Sequence, residues 1–313
     1  MVRENPFHAK QGPLPVPFMI LSGRSYEMKR SQGPGRSPVD EPGGVSAKKS
    51  LGQHFLVSPR VAERIVEALS PGAGELLFEI GPGRGALTGH LAASGARVVA
   101  YEIDRSLAAL LVEQFGARGN VEIVQGDIRN VEFDAEAAGR GEREYKVIGN
   151  IPYNLTGVIL IGLAFLRGCV RSICMVQREV GDRIIASPGE RRCGVLSVFL
   201  QSYLGIERVL RVRPGSFRPR PRVESVVLRF SPRALPGAPA DRRGFLDFLK
   251  LAFSQRRKKL LGVLRAAAGV NDAGEILAAG SLAGVDLTRR PEQLPLPDWF
   301  VLYGGWTGMK GAR

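Results

Sequence analysis

The chain has 313 residues, 44% of them hydrophobic and 7% aromatic, enough for one full-sized domain and a smaller companion. Its longest apolar run, Val158 to Leu166, is broken by Gly162 and ends at Arg167, well short of the roughly 20 apolar residues that a membrane-spanning helix needs. The 44 Lys and Arg against 30 Asp and Glu leave a net charge of +14, which points to a polyanionic partner, nucleic acid or anionic membrane, without choosing between them.

Residues 1–44 read as an extension and not a domain. Pro6, Pro13, Pro15, Pro17, Pro34, Pro38 and Pro42, with glycines between them, bury too little apolar surface to offset the entropy of ordering. From 45 to about 231, strand and helix patterns alternate. Ser58 to Leu69 reads as a helix with Ser58 as N-cap and Pro59 at the first helical position. Leu76 to Ile80 is a short buried strand, Ala86 to Ser94 a helix, and Arg97 to Glu102 a second strand. Ser106 to Phe115 is a helix, followed by strands at Val121 to Gln125, Tyr145 to Gly149 and Ser172 to Gln177, and a helix over Val180 to Ala186. Such spacing implies an α/β fold, a parallel sheet covered on both faces. Residues 231 to 241 have a linker composition, with Pro232, Pro236, Gly237 and Pro239. Beyond them, Phe245 to Leu264 reads as one long amphipathic helix, and 240–313 as a small all-helical C-terminal domain. Cys169, Cys174 and Cys193 are odd in number and lack metal-ligand spacing, so neither a disulfide framework nor a metal site is expected.

Chemistry first appears in Glu79-Ile80-Gly81-Pro82-Gly83-Arg84-Gly85, between a strand and a helix. Gly81 and Gly83 let the backbone turn tightly and approach a ligand. The Gly-x-Gly-x-Gly spacing departs from the dinucleotide fingerprint and matches the form that methyltransferases favour. Glu102 ends the next strand, where a carboxylate can accept from both hydroxyls of an adenosine ribose. Asp127 ends the third strand and can accept from an adenine amine, with Ile103 and Ile128 placed to sandwich the ring. All lie at the carboxyl edge of one sheet, where open α/β sheets bind ligands.

The fourth strand ends in Asn150-Ile151-Pro152-Tyr153. The exocyclic amine of adenine is a poor nucleophile because its lone pair is delocalised into the ring. Two acceptors holding its two hydrogens favour the pyramidal form. The Asn150 side-chain oxygen is one, and the Ile151 carbonyl the natural second. Pro152 fixes the turn, and Tyr153 can stack on a base lifted from its neighbours.

With these motifs in place, the sequence resembles the ribosomal RNA small-subunit adenine N6,N6-dimethyltransferase family. The resemblance runs from Lys48 almost to the C terminus. It is carried by Lys49-Ser50-Leu51-Gly52-Gln53-His54-Phe55-Leu56, the Glu79–Thr88 loop, Gly149–Asn154, Met175–Val180, Phe217–Ser225 and Ala252–Leu260. It implies a Rossmann-like S-adenosylmethionine methyltransferase sheet with a helical C-terminal RNA-binding domain. It also implies dimethylation of two adjacent adenosines near the 3′ end of small-subunit (16S) ribosomal RNA, during small-subunit biogenesis. Cofactor contacts are implied at His54, Leu56, Gly81, Glu102, Asp127 and Asn150, those at 54 and 56 through the backbone. Phe217 is implied as a second aromatic closing on the target base. Cys193 stands where the family often has Tyr, a departure that puts any contact of that ring in doubt.

Arg218, Arg220 and Arg222 crowd one loop, and Arg256, Arg257, Lys258 and Lys259 another segment. Both runs are expected to contact RNA phosphates. The expected partners are small-subunit ribosomal RNA and the assembling small subunit, with no membrane, in a cytoplasmic monomer. Two other readings stay open: a large-subunit adenine dimethyltransferase of the macrolide-resistance type, and an RNA-binding assembly factor whose methyltransferase activity is secondary.

Overall fold

A computed structural model of the chain describes residues 53–255, 257–268 and 284–311. The 1–44 extension, the start of the first family signature and Arg256 lie outside the described residues.

Nine strands are present among the described residues: β1 Phe55–Leu56, β2 Leu76–Ile80, β3 Arg97–Glu102, β4 Val121–Gln125, β5 Tyr145–Asn150, β6 Cys169–Gln177, β7 Leu204–Val212, β8 Phe217–Arg218 and β9 Ser225–Pro232. Seven form one sheet in the order β4-β3-β2-β5-β6-β9-β7, and β1 pairs with β8 in a separate two-stranded ribbon. The run from β4 to β6 is parallel throughout, as the alternation with helices demands. All five residues of β2 are buried, which is why this central strand reads as an unbroken apolar run around Glu79.

The helices around this sheet are α1 Pro59–Leu69, α2 Thr88–Ala93, α3 Arg105–Phe115, α4 Phe133–Gly139 and α5 Thr156–Leu163. Ser58 does hold the N-cap position of α1, but its side chain makes no capping bond there; Pro59 provides the start signal. Asp104 caps α3, its Oδ1 accepting the Ser106 N–H at 3.0 Å. One core layer joins Ile65, Leu69, Leu77, Ile148, Ile173 and Val227. Phe78, Tyr101, Phe133 and Tyr145 form a ring cluster with centroids 4.9–6.3 Å apart. Burial of side chains such as Leu77 and Phe78 stabilises the sheet by about 1.5–3 kcal/mol each.

By packing, the chain divides into two units. One runs to Arg178 and adds Arg208–Arg229; the other is Glu179–Glu207 with Phe230 onward. The sequence boundary near 231 would leave 179–207 with the first part. In the structure this segment packs with the second, because α6 Arg178–Ile184 is followed by α7 Val195–Tyr203, whose rings meet later residues. Tyr203 lies against Phe245 at 6.3 Å and under the Arg242 guanidinium at 4.6 Å.

The single helix expected over Phe245 to Leu264 is two: α8 Arg242–Ala252 and α9 Leu260–Ala268. Residues 257–259 between them are not helical. The Leu260 and Leu261 N–H groups donate to the carbonyls of Arg289 and Leu287 at 2.9 and 3.0 Å, partners that a continuous helix would not use. A last helix spans Leu296–Gly311.

Candidate active site

A cavity of about 230 Å³ opens at the carboxyl ends of β2, β3, β4 and β5. Its walls bring together Gly81 and Gly83 after β2, Glu102 and Ile103 at the end of β3, Asp127 and Ile128 after β4, and the Asn150–Tyr153 turn at the end of β5. His54 and Leu56 come from the far N-terminal side. The loop after β2 is held in the left-handed region at Gly81, Gly83 and Gly85, with φ of 63, 60 and 80°. Glycine suits such angles without strain. A Cβ at Gly85 would also lie 2.5 Å from the Phe115 ring, and one at Gly83 would press on Phe55 at 3.0 Å.

Three carboxylates surround the cavity, each in a different state. Glu79 is 1% exposed. Its Oε2 accepts the Thr88 hydroxyl at 2.7 Å, while Oε1 has no partner. Burial pushes its pKa up to about 8, with Thr88 opposing and the nearby Glu102 charge adding to the rise. Glu102 is also buried and also raised, first by desolvation. Its two oxygens receive the backbone N–H groups of Asp104 at 2.9 Å and Gly83 at 3.0 Å, which pull the other way and lock its orientation. Partial burial would raise Asp127, but the Arg129 side chain and N–H outweigh it and hold the carboxyl below its usual range. Arg129 Nε lies 2.9 Å from Asp127 Oδ2.

The Asn150 turn is fixed from three sides. Asn150 Nδ2 donates to the His54 carbonyl at 3.0 Å. The Ile151 N–H donates to the Met175 carbonyl on β6 at 3.0 Å. The Pro152 carbonyl receives the Leu155 N–H at 2.9 Å and the Thr156 hydroxyl at 3.2 Å. With Nδ2 committed, Oδ1 is the oxygen that Asn150 offers to a ligand; with the Pro152 carbonyl committed, Ile151 has the next one.

Phe217 does not join this group. It is 1% exposed, sits in the core layer with Leu56 and Val227, and is not among the residues that line the cavity. The β1–β8 pairing, Leu56 opposite Phe217, turns it inward. The ring that accompanies Tyr153 in the cavity wall is His54, with centroids 5.7 Å apart. Sequence reasoning also assigned no role to Glu79, Gln53, Arg84 or Arg129, which line the cavity. Glu79 and Arg84 lie within the glycine segment and Gln53 within the first signature, so these three had a local signal; Arg129 had none.

Arg218, Arg220 and Arg222 are exposed in the first unit, and Arg257, Lys258 and Lys259 in the second. Among the described residues no group of three or more His, Cys, Asp or Glu is placed to hold a metal ion, and no helix is long and apolar enough to cross a membrane.

Residues 44–284 match the family described as ribosomal RNA adenine dimethylase. A ribosomal RNA small subunit methyltransferase A of Geobacter sulfurreducens is 40% identical over 274 residues, covering 86% of this chain and 98% of the relative. A protein of the same name from Koribacter versatilis is 41% identical over 268 residues, covering 82% and 93%. Among solved structures, a dimethyladenosine transferase from Plasmodium falciparum superposes with a TM-score of 0.67 at 20% identity, covering 82% of this chain and 98% of that one. The 23S rRNA methyltransferase ErmE gives 0.60 at 25% identity, covering 80% and 98%.

Proposed function

The chain belongs to the ribosomal RNA adenine dimethylase family, and from that premise we propose that it dimethylates the N6 amines of two adjacent adenosines near the 3′ end of small-subunit ribosomal RNA. The observation that carries this reading is the Asn150–Tyr153 turn opening onto the same cavity as Glu102 and Asp127.

The residues present fit S-adenosylmethionine. The orphaned Glu79 Oε1 suits a ligand that carries positive charge. Glu102, locked by two backbone N–H groups, still has lone pairs for ribose hydroxyls. Ile103, 47% exposed beside the cavity, offers an apolar face for a ring. Asp127 accepts from an adenine amine. When bound, the cofactor supplies an electrophilic methyl group.

The chain's own residues prepare the acceptor. Asn150 Oδ1 and the Ile151 carbonyl take the two amine hydrogens of the target base, which localises the nitrogen lone pair. Tyr153 stacks on the extruded base, worth about 1–3 kcal/mol against an unstacking cost of a few kcal/mol. The rate arises from positioning and from fixed dipoles in the cavity wall. No general base is needed, because the amine sheds its proton after transfer. After one methylation a single N–H remains, and one of the two acceptors suffices for the second round.

We read the protein as a cytoplasmic monomer that acts on the assembling small subunit, with the exposed arginines of 218–222 and the basic run at 256–259 meeting phosphates. The large-subunit reading draws on the 25% identity to ErmE; the 40% identity to small-subunit enzymes over nearly their whole length favours the small-subunit reading. The test is transfer of labelled methyl groups to unmethylated small subunits, naked small-subunit RNA and large subunits, with the modified adenosines mapped. Label on small-subunit RNA is expected; label confined to large-subunit RNA would replace this reading with the alternative.

A further inference from the structure

His54 bridges two parts of the site by its side chain as well as its backbone. Its Nδ1 lies 2.7 Å from the Pro219 carbonyl oxygen. A carbonyl only accepts, so Nδ1 carries the proton, and the neutral ring is the Nδ1–H tautomer. The same ring packs beside Tyr153, 5.7 Å between centroids and tilted by 33°. A base held between two rings needs them about 7 Å apart, two contacts of about 3.5 Å. The imidazole therefore props Tyr153 from one side and does not share a base with it. Pro219 follows the strand Phe217–Arg218, which pairs with the residues just after His54. Through its carbonyl His54 holds Asn150; through its ring it holds the segment that begins the arginine loop.

We propose that the His54 imidazole is a positioning residue for methyl transfer, tying the 217–222 loop to the catalytic turn through the Nδ1–H bond to Pro219. The loop and Tyr153 then present one fixed surface to the acceptor nucleotide. Nothing in the local sequence around His54 signals this, since its partner is 165 positions away. The inference rests on the reading of Asn150–Tyr153 as the acceptor site.

The test compares wild type, His54→Leu, His54→Asn and Asn150→Ala in methyl transfer to unmethylated small subunits, with cofactor affinity measured separately by calorimetry. Leu fills the space without a donor. Asn places an amide nitrogen where Nδ1 stands and restores the bond. His54→Leu is expected to lower kcat about tenfold to a hundredfold, the scale of a small misplacement. Cofactor affinity should hold, because the backbone carbonyl at 54 remains, and that binding also reports a folded protein. His54→Asn should recover most of the rate. The chain has three histidines, so the signal missing from the His54→Leu spectrum identifies His54 in nitrogen-15 NMR, where the neutral ring should show a protonated Nδ1. A wild-type rate in His54→Leu, equal loss in His54→Asn, or a proton on Nε2 would each overturn the proposal. Full activity in Asn150→Ala is a separate result: it would overturn the acceptor-site reading itself.

Discussion

The Asn150 side-chain nitrogen donates to the backbone carbonyl of His54 at 3.0 Å, joining the end of β5 to a segment 96 residues earlier. The bond decides which end of the amide faces a substrate. Asn150→Ala should cut methyl transfer by about 10²–10³, the loss typical of one preorganised polar group at a reacting centre, with RNA binding little changed. Asn150→Asp should fare no better, because a carboxylate has no N–H for the His54 carbonyl and would meet it with charge. Single-turnover rates on unmethylated small subunits give the comparison.

Glu79 predicts a pH dependence with a definite sign. Its pKa is near 4.5 when exposed and about 8 in the folded chain. The protonated, buried form is compatible with folding at low pH. The stability contributed by Glu79 should therefore be full below about 4.5 and be lost as pH rises through about 8. A cationic cofactor favours the ionised form, so its binding should release a proton in that window. Glu79→Gln should flatten the slope of stability against pH; an unchanged slope in denaturant titrations would remove Glu79 as its source.

Glu102 has two tasks, to hold the Gly83 and Asp104 N–H groups and to meet the ribose. Glu102→Ala should weaken S-adenosylmethionine binding by about 1.5–3 kcal/mol, the range for hydrogen bonds to a charged group. Calorimetry would show a smaller loss for Glu102→Gln, which keeps the acceptor oxygen.

Phe217 should behave as a core residue. Phe217→Ala should cost about 3–5 kcal/mol of stability, as for other buried aromatic truncations. Phe217→Leu keeps the apolar contact and should retain methyl transfer at temperatures where it is folded. Complete loss of activity in a stable Phe217→Leu protein would instead mean that the ring leaves the core to reach the base.

Arg218, Arg220 and Arg222 should act through phosphates. Each Arg→Ala change that removes one contact should lessen the slope of log K against log salt by about 0.7–0.9. Binding titrations across a salt series distinguish this from a sequence-specific contact, which would leave the slope unchanged.

How much of the molecule is legible in the sequence follows from the range of each signal. The strands at 76–80 and 97–102 stand where the apolar runs place them, because a strand buried on both faces declares itself within five or six residues; the edge strand at 121–125 shows itself by apolar residues interspersed with Glu122 and Gln125. The short β1 and β8 and the long β7 carry no such run, so no local pattern announces them. Phe217 is assigned to the target base by the family resemblance and not by any local pattern; its pairing with Leu56 turns it into the core.

By itself, then, the sequence determined the chemistry available at the carboxyl edge of the sheet: the glycine turn at 81–85, Glu102, Asp127 and the Asn150–Tyr153 tetrapeptide. Each follows directly from a strand end, so local order places it. Arg129 sets the state of Asp127 from two residues away, but contacts across the fold decided the rest. Burial left Glu79 with an unpartnered oxygen and a raised pKa, the His54 carbonyl oriented Asn150, and packing of Tyr203 against Phe245 moved 179–207 to the second unit. These effects come from contacts between residues far apart in the chain, and such contacts leave no period or spacing in it to read.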